Sequence, residues 1–385
     1  MRIGLFTMTY PPTPDGVATY VQSFKNAVER EHEGHEVFVI TTMPESLGGV
    51  RCENNVFRLP SFPFLPYPVY RFAMLPFVRG LRIAKRLDLD IVHAHTPFLF
   101  GTMAYIVKKK LDIPLVSTFH TDFPSMKGTL DGKLLNSVLI DVGWKYSCGI
   151  YRSSDAVIAP TETMASKLRE AHIRTPVHVV WDGIDPAYYA RPTTTDIGAR
   201  FGAEGHRTVL FLGRLTSDKG VYTLLDCAEE VHRRTEAIFL VAGIGPERER
   251  LEAEVRRRKC GGYFKVLGYV TEEEKRALLQ QADVFVLPSR AETFGMVLLE
   301  AMASGTPAVA AASGGILDVV SDGFNGLLFR WGDKNELAQR IMAVLEYGVD
   351  VESLVRNGKD FVEKKASITY SVRKTLDIYE GLLGR

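Results

Sequence analysis

At 385 residues the chain is long for one domain, and its 46% hydrophobic and 24% charged residues suffice for two folded cores. A formal net charge of +1 gives no reason to expect nucleic acid as a partner. The four cysteines form no C-x-x-C pair, so they indicate neither a zinc site nor a disulfide framework. With no signal-peptide pattern and no run near the roughly 20 apolar residues of a membrane span, we expect a cytoplasmic protein.

From the first residue onward, short apolar runs typical of strands alternate with amphipathic segments typical of helices. The first set of predicted strands is Ile3–Met8, Glu36–Thr41, Ile91–Ala94, Leu115–Phe119, Ala156–Ala159 and Val177–Val180. Predicted helices such as Thr19–Glu31 and Arg79–Leu87 lie between them. Strands that alternate with helices in this way predict a parallel sheet that is covered on both faces.

The alternation restarts after Trp181–Gly198, a segment rich in turn formers and threonine that we interpret as a linker. The second set of predicted strands is Thr208–Leu212, Ala237–Ala242, Phe264–Leu267, Val284–Pro288, Ala308–Ala310 and Gly326–Phe329. The sequence therefore predicts an α/β protein with two doubly wound parallel-sheet domains. We place these domains at residues 1–185 and 186–365, and we expect a last helix, 366–385, to cross back to the first domain.

Ligands of such sheets bind beyond the carboxyl ends of the strands, so the residues that follow each strand are candidates for the site. After the first strand, Asp15 and Gly16 are predicted to form a tight turn into a helix. A glycine at this position lets the backbone approach a ligand, and the helix N-terminus favours an anion. The alternative is an ordinary turn glycine.

The loop after Thr208–Leu212 has the sequence GRLTSDKG and carries two cations. Gly213 ends the strand, and Arg214 and Lys219 could both reach one anionic group, although charges in loops are usually only solvated. The loop is not a Walker motif, and no G-x-G-x-x-G sequence follows either first strand. Both nucleoside triphosphate hydrolysis and ordinary dinucleotide binding are therefore disfavoured.

Glu292 and Glu300 stand eight residues apart around the predicted start of a helix, Phe294–Ala303. The backbone amides at this start suit a phosphate group; they belong to Thr293, Phe294, Gly295 and Met296. Eight helical residues rise about 12 Å, so the two carboxylates cannot share a metal ion. They can instead hold the two ends of a long ligand, one a hexose and the other a ribose. The alternative is a helix-capping glutamate and a buried glutamate with a protein partner.

In this order, the motifs resemble the retaining glycosyltransferases of family four, which have the GT-B architecture of two Rossmann-like domains facing each other across a cleft. The resemblance extends over nearly the whole chain and rests on PPTPDGV, HAHTP, STFHTD, GRLTSDKG, GIGPERERLE and PSRAETFGMVLLEAMASGTPAV. The turn Asp15-Gly16, with its single glycine, resembles the corresponding turn of the lipid-glycosylating members. In contrast, Trp181 and Asp182 stand where members usually have Pro-Asn.

The resemblance implies a role for each matching residue. It assigns Glu292 to the hydroxyl groups of the donor sugar, Glu300 to the ribose, and Arg214 and Lys219 to the diphosphate. Gly16 would approach the same diphosphate from the first domain. The other implied residues are His120 near the reacting carbon of the sugar, Gly213 and Val270 on the nucleotide side, and Asp15, His95 and Asp122 on the acceptor side.

The implied reaction transfers a hexose from UDP-glucose, UDP-galactose or GDP-mannose to an acceptor hydroxyl, with retention at the anomeric carbon. Arg214 and Lys219 would replace a divalent ion, so we expect no metal requirement and no cofactor besides the co-substrate. We recognise no dedicated nucleophile, and same-face attack assisted by the leaving phosphate is the expected route. The alternatives are a nucleotide-sugar epimerase, a phosphorylase-like enzyme with a lysine-bound pyridoxal cofactor, and a non-catalytic sensor of nucleotide sugars.

Residues 51–110 carry ten Lys and Arg residues against three acidic residues, and the segment 59–77 adds many prolines and aromatic residues. This combination is typical of a protein that rests on an anionic membrane. With the resemblance, it predicts a membrane-lipid or polyprenyl acceptor that is reached by peripheral docking at the inner face of the plasma membrane. The alternative is that the aromatic residues fold inward and the acceptor is a soluble sugar. Nothing in the sequence indicates an oligomeric state.

Overall fold

The computed structural model describes residues 1–13, 15–43, 49–64, 67–126 and 135–384. The chain divides into two compact units, of which the first comprises Met1–Gly183 with Ile368–Arg385 and the second Ile184–Ser367. No helix of the described residues is long and apolar enough to cross a membrane.

The strands are β1 (Arg2–Phe6), β2 (Glu36–Thr42), β3 (Arg51–Glu53), β4 (Val56–Leu59), β5 (Ser61–Phe64), β6 (Tyr67–Ala73), β7 (Ile91–Ala94), β8 (Leu115–Thr118), β9 (Ala156–Ala159), β10 (Val177–Val179), β11 (Thr208–Leu212), β12 (Ile238–Ala242), β13 (Phe264–Gly268), β14 (Val284–Leu287), β15 (Ala308–Ala311) and β16 (Leu327–Phe329). The helices are α1 (Gly16–Glu31), α2 (Pro76–Leu87), α3 (Leu99–Leu111), α4 (Leu135–Ser153), α5 (Glu162–Glu170), α6 (Pro186–Ala190), α7 (Ile197–Phe201), α8 (Val221–Thr235), α9 (Arg248–Arg258), α10 (Glu272–Gln281), α11 (Met296–Ser304), α12 (Ile316–Val319), α13 (Lys334–Leu345), α14 (Val351–Lys365) and α15 (Ile368–Leu383).

The first unit contains a sheet with the strand order β10-β9-β8-β7-β1-β2-β4-β3, in which β3 and β4 are antiparallel and the other neighbours are parallel. Every residue of β7, β8 and β9 is buried, as expected for parallel strands that are covered on both faces. The order reverses between β1 and β7, which are neighbours in the sheet. This reversal opens a crevice at the carboxyl ends of the two strands.

The second unit contains a parallel sheet with the order β13-β12-β11-β14-β15-β16. Its central strands are buried along their whole length and apolar except for Thr208, and they pack with α8 and α13 in one hydrophobic core. Here the order reverses between β11 and β14, where Leu210 is opposite Phe285. The loops that follow these two strands therefore meet at the carboxyl edge of the sheet.

The last helix, α15, belongs to the first unit, although the whole second unit precedes it in the chain. Its apolar face contributes Val372, Leu376 and Tyr379 to the core that also holds Phe24 and Val28 of α1. Two polar contacts join the helix to the same unit. The hydroxyl groups of Tyr20 and Ser371 lie 3.0 Å apart, and the Tyr379 hydroxyl lies 2.5 Å from Nδ1 of His93.

The proline-rich segment 59–77 forms the antiparallel hairpin β5–β6 and the start of α2. This hairpin lies outside both large sheets, where a proline removes no hydrogen bond from a central ladder. Leu65 and Pro66 lie outside the described residues.

Candidate active site

Four neighbouring strands of the second sheet end in loops that meet at its carboxyl edge. These loops follow β11, β12, β14 and β15 and comprise residues 213–220, 243–247, 288–295 and 312–315. They pack backbone against backbone. A Cβ atom on Gly243 would lie 1.8 Å from the carbonyl oxygen of Gly213, and one on Gly220 would lie 2.0 Å from that of Pro288. Because only glycine fits at both positions, the backbones of these loops pack closely against one another.

The helices that begin at this edge are α8, α9, α11 and α12, and in each of them the N-cap residue makes no side-chain hydrogen bond to the first turn. Helices elsewhere in the unit are capped: Thr271 caps α10, Asp333 caps α13 and Asp350 caps α14. The first amides of a helix need hydrogen-bond acceptors and carry partial positive charge. The edge therefore presents donors that suit an anionic ligand.

Helix α11 begins at Met296 rather than at Phe294, so the predicted start was wrong by two residues. Gly295 precedes the helix in a left-handed conformation (φ +86°), and the Phe294 side chain is buried in front of it. The amides of Thr293 and Phe294 therefore belong to the loop, and those of Gly295 and Met296 to the helix start. Only part of the stretch between the two site glutamates is helical, so the 12 Å rise expected from eight helical residues does not apply.

Lys219 and Glu292, which the sequence assigns to two parts of the ligand, contact each other. The ammonium nitrogen of Lys219 lies 2.5 Å from Oε1 of Glu292, and both side chains are largely buried. The backbone N–H of Gly315 donates to the Glu292 carbonyl at 2.8 Å, which fixes this loop to its neighbour. Arg214 is exposed at the start of the Lys219 loop. A cation and a carboxylate thus stand together beside the start of α11.

Glu300 is buried, and its Oε1 accepts hydrogen bonds from the Tyr189 hydroxyl at 2.7 Å and from Lys275 at 2.8 Å. Burial and the charge of Glu300 raise the pKa of Tyr189 well above its ordinary value, so the hydroxyl remains a donor. Burial alone would lower the pKa of Lys275, but the charges of Glu300 and Glu272 raise it. The sequence did not predict these two partners of Glu300, because Tyr189 lies in the expected linker and Lys275 has the pattern of a surface residue of α10.

Val270 lies half-buried between β13 and α10, at the outer strand of the same edge. The N–H of Gly213 donates to the carbonyl of Ala242 at 3.1 Å, which joins the ends of β11 and β12. The structure thus brings Lys219 and Glu292 into contact before the start of α11, and Gly213 and Arg214 lie in the same loop as Lys219. Glu300 lies further along the same helix.

In the first unit, the imidazole rings of His93, His95 and His120 form a buried stack. The ring centres of His93 and His95 are 4.1 Å apart, those of His95 and His120 are 5.3 Å apart, and Nδ1 of His95 lies 3.1 Å from Nε2 of His120. Burial lowers the pKa of His93 to about 3 and that of His95 well below its ordinary value. Both rings are therefore neutral near pH 7.

Asp182 lies beside this stack, with Oδ2 at 3.4 Å from Nδ1 of His120 and both side chains buried. The sequence marked Asp182 only as a departure from a family pattern, so its contact with His120 was missed. The predicted residue Asp122 pairs with Lys167 and accepts a hydrogen bond from Ser125. Asp122 is therefore already engaged within the first unit.

Asp15 caps the N-terminus of α1, where its carboxylate accepts hydrogen bonds from the N–H of Ala18 at 2.7 Å and from the Thr9 hydroxyl at 3.2 Å. Gly16 is the first residue of that helix. Asp15, the residue before the predicted glycine, thus has a structural role as the N-cap of α1. Among the described residues, no three or more His, Cys, Asp or Glu side chains are grouped so that they could hold a metal ion.

Comparisons with known proteins agree with the two-unit architecture. The family described as Glycosyltransferase Family 4 matches residues 14–188, and the one described as Glycosyl transferases group 1 matches residues 194–361. An alpha-monoglucosyldiacylglycerol synthase of Streptococcus pneumoniae is 31% identical over 355 residues, which cover 90% of this chain and 78% of that protein. The enzyme of the same name from Acholeplasma laidlawii is 27% identical, over 96% of this chain and 95% of that protein.

Among solved structures, sucrose-phosphate synthase from Thermosynechococcus elongatus aligns with a TM-score of 0.82 at 20% identity, over 100% of this chain and 99% of that chain. The Anabaena protein HepE, solved in complex with UDP-glucose, aligns with a TM-score of 0.77 at 19% identity, over 98% and 100% of the two chains. At this identity the likeness shows the fold. The chain therefore belongs to glycosyltransferase family 4 and has the GT-B fold of two Rossmann-like domains.

Proposed function

We propose that this glycosyltransferase moves a hexose from a nucleoside diphosphate sugar to the hydroxyl group of a membrane lipid, with retention at the anomeric carbon. The observation that carries the proposal is the carboxyl edge of the second sheet. There, the N-cap residues of α8 and α11 are glycines without side-chain caps, Lys219 contacts the carboxylate of Glu292, and the Lys219 loop also carries Arg214. A diphosphate sugar carries both an anion and hydroxyl groups, and this edge offers partners for both.

In this arrangement the diphosphate binds the amides of Gly295 and Met296 and the two cations. Glu292 accepts hydrogen bonds from hydroxyl groups of the sugar, and Glu300 accepts them from the ribose. Expulsion of the diphosphate is the difficult step, because negative charge builds up on it as the bond to the sugar breaks. Fixed cations and amide dipoles stabilise that charge without reorganising, so we propose that no metal ion is needed. With no dedicated nucleophile assigned, the acceptor hydroxyl attacks the anomeric carbon on the face that the diphosphate leaves and gives its proton to the leaving phosphate, which accounts for retention.

The lipid acceptor is supported by two relatives whose names describe diacylglycerol glucosylation, and these names also favour glucose as the sugar. The surface of α2 gives independent support. Leu75 and Val78 are 67% and 58% exposed at its start, and Arg82, Lys85 and Arg86 are exposed further along. Their spacing places them on one helix face, which we name the docking face. Apolar residues beside basic ones suit the surface of an anionic bilayer.

The transfer reaction is tested with purified protein, the three donors UDP-glucose, UDP-galactose and GDP-mannose, and three acceptor classes in parallel. These classes are diacylglycerol in vesicles, a polyprenyl phosphate in vesicles, and soluble sugars. We expect a lipid product whose anomeric proton coupling shows the α configuration, at a rate that EDTA does not change. Transfer only to soluble sugars would refute the lipid acceptor, and a β-linked product would refute retention. A rate that EDTA abolishes and magnesium or manganese restores would refute metal independence.

The docking face predicts salt-sensitive binding to vesicles that contain an anionic lipid. Each basic residue near such a surface adds about 1 kcal/mol, so changing Arg82, Lys85 and Arg86 to Gln should lower the partition coefficient roughly 100-fold in co-sedimentation. The matched control changes three exposed basic residues of the second unit to Gln; these are Arg233, Arg256 and Lys259. Equal losses in both variants would show that net charge, rather than this helix face, governs binding.

Lys108, one of the ten basic residues of 51–110, is not part of the docking face. Its ammonium group lies 2.6 Å from Oδ1 of Asp155 and donates to the Ser153 carbonyl at 2.9 Å, and the side chain is mostly buried. Changing Lys108 would therefore disturb the contact between α3 and the end of α4 and could not report on membrane binding alone.

A further inference from the structure

The partners of Glu300 form a cluster that the transfer chemistry described above does not use. Tyr189 comes from the short helix α6, Lys275 from α10 and Glu300 from α11. The backbone of Tyr189 is tied to α10, because the side-chain amide of Gln280 donates to the Tyr189 carbonyl at 2.6 Å. The Lys275 nitrogen lies 3.4 Å from the Tyr189 hydroxyl and 5.6 Å from the centre of its ring. Three elements thus converge on one carboxylate.

Both donors act on the same oxygen of Glu300, Oε1. Among the residues that the structure describes, none donates a hydrogen bond to Oε2. Two donors on one oxygen fix the plane of the carboxylate, and the ammonium charge compensates a carboxylate that has been removed from water. The second oxygen is left to accept hydrogen bonds from another group, and its direction is set by Tyr189 and Lys275.

We propose that Tyr189 and Lys275 are positioning residues that aim Oε2 of Glu300 at a ribose hydroxyl, and that they thereby set the preference of the site for ribonucleotides over deoxyribonucleotides. The inference rests on the proposed function, which assigns Glu300 to the ribose. Neither residue touches the reacting atoms. Substituting either residue therefore weakens nucleotide binding more than it lowers the rate at which the bound donor reacts.

The test uses the tightest-binding of UDP, GDP and ADP, together with its 2′-deoxy and 3′-deoxy forms, in calorimetric titrations. The quantity measured is the discrimination ratio, defined as the Kd of the weaker deoxy form divided by the Kd of the ribonucleotide. Loss of a hydrogen bond to a charged group typically costs at least tenfold, so we expect a wild-type ratio of about 10 or more. Tyr189→Phe and Lys275→Met should each lower the ratio roughly 3- to 10-fold, through weaker ribonucleotide binding.

Two controls separate this inference from the proposed function. Tyr188→Phe removes the hydroxyl of the neighbouring tyrosine and should leave the ratio unchanged, whereas Glu300→Gln should abolish the preference. If Glu300→Gln abolishes it and the variants at Tyr189 and Lys275 keep the wild-type ratio, the inference fails and the ribose assignment stands. If Glu300→Gln also keeps the ratio, or no ribonucleotide binds, the ribose assignment itself fails.

If Tyr189 and Lys275 had only a structural role, their variants would weaken binding of the ribonucleotide and of its deoxy forms equally. The discrimination ratio would then stay unchanged, and the inference would be overturned. Thermal melting shows which variants are folded. Tyr189→Phe removes a single oxygen atom and keeps the ring against α10, so this variant carries the test if Lys275→Met is unstable. In donor kinetics, both variants should raise KM while kcat changes less than threefold.

Discussion

Replacing Lys219 or Arg214 with Ala should lower turnover roughly 10²–10³-fold, the effect typical of removing one fixed donor from a site where charge develops. Both cations lie in the loop between β11 and α8, and both are proposed to stabilise the same leaving diphosphate. Because they act on one group, their effects should not add, and the double variant should be far less impaired than the product of the two single losses. The measurement is kcat at saturating donor, with the lipid acceptor present.

Lys259→Ala serves as the control for these variants, because it removes an exposed lysine at the end of α9 in the same unit. It should retain the wild-type kcat. Near-wild-type turnover in either single variant, at a donor concentration that saturates the site, would rule that cation out of leaving-group stabilisation. A fully multiplicative double variant would show that the two cations act on separate steps.

Glu292→Gln should lower kcat/KM for the sugar donor roughly 10- to 100-fold, because the sugar hydroxyl groups then donate to a neutral amide oxygen instead of a charged carboxylate. The same change should not weaken binding of the sugar-free nucleoside diphosphate. It removes the carboxylate that lies 2.5 Å from Lys219, and this cation then interacts fully with the phosphate groups. The two measurements are donor kinetics and titration with the diphosphate alone.

This prediction distinguishes the two glutamates, because Glu300→Gln should weaken the sugar-free diphosphate as well as the donor. Lys219 offers a further check. If Glu292 serves mainly to hold Lys219, the variants Glu292→Gln and Lys219→Ala should have equal effects on diphosphate binding, in the same direction. Such a result would contradict the assignment of Glu292 to the sugar.

Strand positions could be predicted where apolar residues form short runs, as in β11, whose bounds Thr208–Leu212 agree with the prediction. The start of β1 was predicted within one residue, at Ile3 instead of Arg2, but its end was placed two residues too late. The prediction extends the strand through Thr7 and Met8, whereas the strand ends at Phe6. The strands β3 to β6 were missed, because β3 and β4 depend on partners that local periodicity does not reveal and β5 and β6 contain prolines, which argue against a strand.

The loops of the candidate site could be predicted because the carboxyl ends of parallel strands meet at one edge, which places the loop that carries Arg214 and Lys219 beside the loop that carries Glu292. The contacts between side chains within the site could not be predicted. Tyr189 and Glu300 are separated by 111 positions in the chain, and Lys219 and Glu292 by 73. Such pairs are decided by the packing of whole elements, which a single sequence does not specify.

The return of α15 to the first unit has a consequence for how the protein is made. Tyr379, which contacts His93, and Leu376, which packs with α1, leave the ribosome only after the whole second unit. The nascent first unit must therefore wait, with part of the apolar surface of α1 uncovered, while the entire second unit is synthesised. During that interval the second unit can fold before the first is complete, although its residues emerge later.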